Sequence, residues 1–246
     1  CAMAKQKEKK SGSPLRNRNK PMLVMFLTPA VLLYLIVFLY PSIRTIVMSF
    51  FKVEGVTDPV STWSFNGVTN YIDSFNDTLF KSAMLNLGKL WLIGGVAVML
   101  LALVYAVVLT SGLRGKSFFR SVIYLPNLVS AVAMGTMWLY YALSKEDYGL
   151  LNTILGWFGV DNVLWTDPTH KFWSMLLAYC FGMVGYHMLI FMSGIERIGN
   201  DYYEAATIEG ANVFQKFRFI TLPLLRGAIR TNLVMWTVSS VGFFIW

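Results

Sequence analysis

Three stretches of the chain set amide, hydroxyl and aromatic side chains at helical spacing. Asn232, Trp236, Ser239, Ser240 and Phe243 recur at i, i+4, i+7, i+8 and i+11, which places them on one helix face. Tyr179, Met183, Tyr186 and His187 form a second such stripe, and Asn127, Ser130, Met134, Trp138 and Tyr141 a third. A polyhydroxylated solute offers hydroxyls to polar groups and C–H faces to rings, so stripes of this mixture suit one chemically. The 232–243 stripe ranks first, because it directly follows residues 203–223 and would move with them. Helix packing in lipid is the competing reading, since polar side chains there bond to neighbouring helices.

Bond-making chemistry finds no support. The chain has no lysine-bearing phosphate loop, no His-Glu-x-x-His and no Gly-x-Ser-x-Gly, and its only histidines, His170 and His187, lie in different surroundings. A lone histidine in an apolar run, such as His187, more often bonds across helices than relays protons. No metal site, catalytic residue or cofactor is expected.

The stretch Tyr203–Pro223 has a different character. Asp201-x-x-Glu204 has capping-box spacing, which predicts a short helix capped by Asp201. Gly210 can take the positive φ that ends it. On a 100° wheel Tyr202, Ala205, Ala206 and Glu209 share a face whose small residues let another protein approach the backbone, with Ala206 turned toward it. A surface connection between helices would explain the cap and the glycine. It would not explain Glu204-Ala205-Ala206, Gly210, Ile220 and Leu222-Pro223 at fixed offsets.

That pattern resembles the EAA loop of the permeases of ABC importers, the cytoplasmic segment that sits in a cleft of the ATPase subunit. Gly199 stands where the family usually has Pro, leaving the helix entry less rigid, and Glu209 where it usually has Asp. Other stretches are similar to the sugar-permease branch: residues 21–50, FNGVTNYIDSF at 65–75, the run at 113–138, and YGLLN at Tyr148–Asn152.

The elements that must position these residues are apolar. The chain has 246 residues, 56% apolar and 14% charged, against roughly a quarter charged in soluble domains. This is a membrane-protein composition. Cys1 and Cys180 make no plausible disulfide, one in a polar tail and the other in an apolar run. Residues 1–20 hold Lys5, Lys7, Lys9, Lys10, Arg16, Arg18 and Lys20 against Glu8, and read as a disordered cytoplasmic tail. The net charge of +8 follows the positive-inside rule more simply than it implies nucleic acid, which is not expected as a partner.

Five spans are predicted, at about 22–40, 84–110, 123–143, 172–195 and 224–246, each near the length that crosses a ~30 Å core. Residues 41–82 form an external loop. Arg114, Lys116 and Arg120 mark an inner loop, and Glu146, Asp147, Asp161 and Asp167 an outer one. Residues 196–222, with Arg197, Lys216 and Arg218, return inside. Topology and motif agree.

The resemblance implies an all-α polytopic transmembrane bundle, with residues 21–246 as one permease domain, five spans present of six, and a natural chain that continues beyond residue 246. It implies one permease of a bacterial binding-protein-dependent importer in the plasma (inner) membrane, with the N-terminus cytoplasmic. The partners it implies are a second homologous permease, two ABC ATPase subunits, an extracellular solute-binding protein and a sugar or related solute. ATP hydrolysis falls to the separate subunits, coupled through Glu204, Ala205, Ala206, Gly210, Ile220, Leu222 and Pro223. The solute path draws on Asn232, Trp236, Ser239, Ser240, Phe243, Tyr186, His187, Asn127 and Trp138. An ion-coupled carrier is the alternative, but it would need acids within the spans, and none of the five has Asp or Glu. An intramembrane enzyme would need two convergent catalytic residues.

Overall fold

A computed structural model describes residues 20–55, 57–144 and 149–242. The basic tail before Lys20, the stretch 145–148 and Phe243 lie outside the described residues. The chain divides at Lys81/Ser82 into two compact units.

In the first unit, α1 covers residues 20–48, built of Lys20–Tyr34, a π turn Leu35–Leu39 and Tyr40–Met48. Its Met22–Met48 portion is strongly apolar, and no residue of its most apolar stretch is buried among the described residues. A helix apolar on all sides needs a lipid or protein environment. The predicted external loop is a small folded module instead. Phe51–Lys52 (β1) pairs antiparallel with Ser64–Phe65 (β2), followed by α2, Thr69–Asn76. Asn70 Nδ2 donates to the carbonyls of Ser49 and Phe51 at 3.0 and 2.9 Å, and Phe51 packs on Trp63 and Phe65. Amide cross-links and ring contacts hold this connection together.

α3 spans residues 78–110 with a π turn at Leu90–Gly94, and from Ser82 onward it belongs to the second unit. The remaining helices are α4 (Lys116–Leu128), α5 (Ala131–Ala142), α6 (Leu150–Gly156), α7 (Lys171–Ile195), α8 (Asn200–Ile208), α9 (residues 213–224) and α10 (Arg226–Val241). The axis is α7. Its Met188, Phe191 and Met192 pack on Ala102, Ala106 and Leu109 of α3, the small alanines letting the two helices approach. Farther along, Leu176, Tyr179 and Val184 meet Leu90, Val98 and Trp236, while Ala178 meets Met134 and Trp138 of α5.

The single span expected at 123–143 is broken. α4 and α5 meet at a 99° bend. Pro126 contributes no N–H, and Ser130 Oγ accepts from the Ala133 N–H at 3.2 Å, starting a new helix. Among the described residues three helices are long and apolar enough to cross a membrane, or four counting the bent pair. Where a fifth span is expected, the described residues form α10, which is 16 residues long and not among those helices.

Two π turns share a cause. Leu35–Leu39 precedes Pro41 and Phe217–Thr221 precedes Pro223, each ending two residues before the proline. A helical proline ring collides with the carbonyl four residues back, here Val37 or Phe219. The wider π turn moves that carbonyl aside and lets the helix continue.

Asn152 organises the connection between α6 and α7. Its Nδ2 donates to Ser144 O and Val163 O at 3.0 and 3.2 Å, and its Oδ1 accepts from Val163 N and Trp165 Nε1 at 3.1 and 2.9 Å. Asn152→Asp would keep both acceptor contacts and turn a carboxylate toward two carbonyls. We expect a loss of about 2 kcal/mol, as for a buried group left without its partner, read as a lower thermal midpoint in detergent.

Candidate functional site

Residues 196–222 fold as a helical hairpin. α8 begins at Gly199, in an extended conformation and with no side-chain cap. Asp201 therefore does not cap it. The helix starts two residues earlier than the spacing suggested, so Asp201 stands inside the first turn, where its charge favours the helix N-terminus but its side chain cannot reach back. Gly210 ends α8 at φ 78°. Its N–H donates to Thr207 O and the next N–H, from Ala211, to Ala206 O, at 3.0 and 2.9 Å. This 5→2 and 6→1 pairing is a Schellman stop, which needs the left-handed residue that glycine supplies.

A capping box does occur, two turns later. Asn212 Oδ1 accepts from Gln215 N and Gln215 Oε1 accepts from Asn212 N, each at 2.8 Å, opening α9. Asn212-x-x-Gln215 has the same cap spacing in the sequence as Asp201-x-x-Glu204. Two further bonds join the arms: Tyr203 OH to Thr221 Oγ1 at 3.0 Å and Lys216 Nζ to Thr207 Oγ1 at 2.8 Å. Sequence spacing carries no signal for these. A cleft of about 590 Å3 lies behind the hairpin, lined by Thr110, Glu196, Asn200, Tyr203 and Lys216 among others.

The hairpin exposes its tip. Glu204, Ala205, Ile208, Val213 and Phe214 are exposed, Ile208 by 87%. Ala206, expected to face outward, is half-buried on the side of Tyr203, so Ala205 presents the small side chain instead. Ile220, Leu222 and Pro223 are half-buried at the root of the hairpin. There α9 gives way to α10 at Leu225, whose ψ of 0° interrupts the helix, and two bonds span the break, Leu225 N to Thr221 O at 3.0 Å and Ile229 N to Leu225 O at 2.9 Å.

The structure brings together four of the polar and aromatic residues. His187 Nδ1 and Asn232 Oδ1 are 2.7 Å apart, and both residues are 0% exposed. The His187 ring meets Tyr186 at 5.2 Å and Trp236 at 5.8 Å, edge to face. His187 Nε2 and Asn232 Nδ2 are buried and make no hydrogen bond among the described residues. Such atoms carry a desolvation cost and commonly mark a functional position. Asn232, Trp236 and Ser240 do share one face, as the spacing predicts, and it points into the chain, Trp236 being 1% exposed. Ser239 is half-buried. Asn127 is spent on Gly182 O at 3.3 Å, and Trp138 packs on Phe181 at 5.6 Å. Neither joins the His187 cluster. Sequence reasoning missed Trp91, whose carbonyl accepts from Trp236 Nε1 at 2.8 Å.

The chain is similar to known proteins. A family model described as the binding-protein-dependent transport system inner membrane component matches residues 99–246. The arabinooligosaccharides transport system permease protein AraP of Halalkalibacterium halodurans is 30% identical over 233 residues, 93% of this chain and 70% of that protein. The probable ABC transporter permease protein YesP of Bacillus subtilis is 32% identical over 223 residues, 89% of this chain and 70% of that protein. In fold, the chain matches a bacterial ABC transporter involved in the import of the acidic polysaccharide alginate, with a TM-score of 0.74 at 23% identity over 91% of this chain and 75% of that one. The matched region takes in the last third of α3, the bent pair, α7, the hairpin and α10, and the chain belongs to the binding-protein-dependent transport system inner membrane components, as a multi-pass permease subunit of an ABC importer.

Proposed function

We propose that the α8–α9 hairpin docks on a cytoplasmic ATPase subunit and that the His187–Asn232–Trp236 cluster receives a saccharide. The carrying observation is the hairpin tip: Ile208, Val213 and Phe214 stand exposed beside Glu204 and Ala205, on a turn fixed by a left-handed glycine. Apolar side chains held out rigidly on a polar hairpin fit a partner's pocket. ATP is hydrolysed on two such subunits, and a second homologous permease supplies the other half of the path. An external solute-binding protein delivers the solute. The basic N-terminal tail and residues 196–222 lie on the cytoplasmic side, by the distribution of Lys and Arg.

The saccharide reading draws on relatives named for arabinooligosaccharides, starch degradation products and lactose. It also draws on the chemistry of the cluster, an imidazole and an amide among indole and phenol rings. In this structure the cluster is closed, and solute entry requires α10 to shift. Because only Leu225 separates α9 from α10 and backbone bonds span it, movement of the hairpin would reach Asn232 and Trp236.

Ile208→Asp should abolish co-purification of the ATPase subunit with the permease while membrane insertion stays at parental level. Normal co-purification would sink the docking assignment. Asn232→Leu should raise the apparent KM for uptake about tenfold, the effect of one or two lost hydrogen bonds at ~1 kcal/mol each. Cysteine labelling at Ser61 from outside and at Gln215 from inside tests the orientation.

A further inference from the structure

Two indoles join α3 to α10 reciprocally. Trp236 Nε1–H donates to Trp91 O at 2.8 Å, and Trp91 Nε1–H donates to Thr237 Oγ1 at 3.0 Å. The Thr237 hydroxyl hydrogen goes to Leu233 O at 2.8 Å, which leaves its lone pair for the Trp91 indole. Consecutive residues of α10 thus hold one residue of α3 by its backbone and by its side chain.

The seat for Trp236 is built to measure. A Cβ at Gly95 would stand 2.6 Å from Trp236 Nε1, and one at Gly94 would stand 3.1 Å from Trp236 Cζ2. Adjacent glycines inside a helix each cost roughly 0.5–1 kcal/mol relative to Ala, and here they fall at the end of the π turn Leu90–Gly94. Single π turns occur often at functional positions. With Trp236 seated, its ring lies against His187 and Tyr179, and the His187–Asn232 pair is sealed from both solvent and lipid.

We propose that this double indole clasp is a release latch, holding α10 against α3 in the closed arrangement, and that the transport cycle must open it. Trp91 and Thr237 are positioning residues that act through Trp236. The inference rests on the reading that the hairpin couples to the ATPase and that α10 must move for solute to enter. Weakening the latch lowers the cost of leaving the closed state, so the complex should hydrolyse ATP without waiting for the binding protein.

The test uses the complete importer in proteoliposomes, with ATP hydrolysis measured with and without the solute-binding protein. Thr237→Val and Trp91→Phe should each raise the binding-protein-independent rate roughly three- to tenfold, as expected for one net hydrogen bond in a two-state equilibrium. Thr237→Ser should restore the parental rate, and the double variant should exceed neither single one. A parental rate in Thr237→Val, or an equal rise in Thr237→Ser, overturns the latch. Thr237 is exposed on α10, so its variants carry the test even if Trp91→Phe fails to assemble. The docking assignment fails separately, if Ile208→Asp still retains the ATPase subunit.

Discussion

Gly185→Val should yield almost no folded permease. At Gly185 α7 crosses α4 backbone to backbone: an added Cβ would overlap the Ile123 carbonyl oxygen and stand 2.6 Å from the Tyr124 Cα. Neither atom can rotate away, because both are main chain in a helix. The helices must separate, which also pulls Asn127 Nδ2 from Gly182 O and loosens Ile123 against the α3–α7 core. Overpacking typically costs 1–3 kcal/mol, and an obstacle made of backbone places this site at or above about 3 kcal/mol. Detergent-extracted monodisperse protein, measured by size-exclusion chromatography, should fall to a small fraction of parental yield. Gly135, where an added Cβ meets nothing within 4 Å, is the control: Gly135→Ala should extract normally. Parental yield of Gly185→Val would mean that α4 and α7 do not cross here.

Gly210→Val should leave insertion and extraction intact and remove transport. The residue sits at φ 78° with open space around it, so the penalty is conformational and not a clash. A left-handed conformation costs an ordinary residue about 1–2 kcal/mol, and a β-branched one more. About 2 kcal/mol disfavours the hairpin turn roughly thirtyfold. The Schellman bonds to Ala206 O and Thr207 O would be exchanged for water, and Ile208 would no longer be held beside Val213 and Phe214. Solute uptake by the full system should fall by at least about tenfold, while Gly210→Asn, which tolerates the left-handed region, should retain most of it. Equal loss in both variants would assign the defect to side-chain bulk at the docking face.

The contrast between these two glycines shows what spacing can and cannot convey. Gly210 was legible because its role is local: a helix that stops on a glycine is written in a few consecutive residues. The role of Gly185 depends on Ile123 and Tyr124, some sixty positions away in sequence, and only the crossing of α4 and α7 reveals it. Asp201 was misjudged for a related reason. Asp-x-x-Glu and Asn-x-x-Gln both have the spacing of a cap, and which one caps depends on where the backbone turns extended, at Gly199 without a side-chain bond and at Asn212 with two.

Sequence by itself determined the membrane character, the helical class and the hairpin between α7 and α10. Apolar run length, basic-residue placement and the Glu204–Pro223 pattern are properties of contiguous chain, set by the cost of placing charge and unpaired backbone in lipid. It also determined that Asn232, Trp236 and Ser240 share a face, because helical periodicity is fixed. Tertiary structure alone decided where that face points. Burial of Trp236 depends on two glycines of α3 and a carbonyl placed to accept its indole N–H, and pairing of His187 with Asn232 depends on how α10 returns beside α7. The 99° break after α4 belongs to the same class. Pro126 and Ser130 permit it, but the angle is set by α7, which packs against both halves.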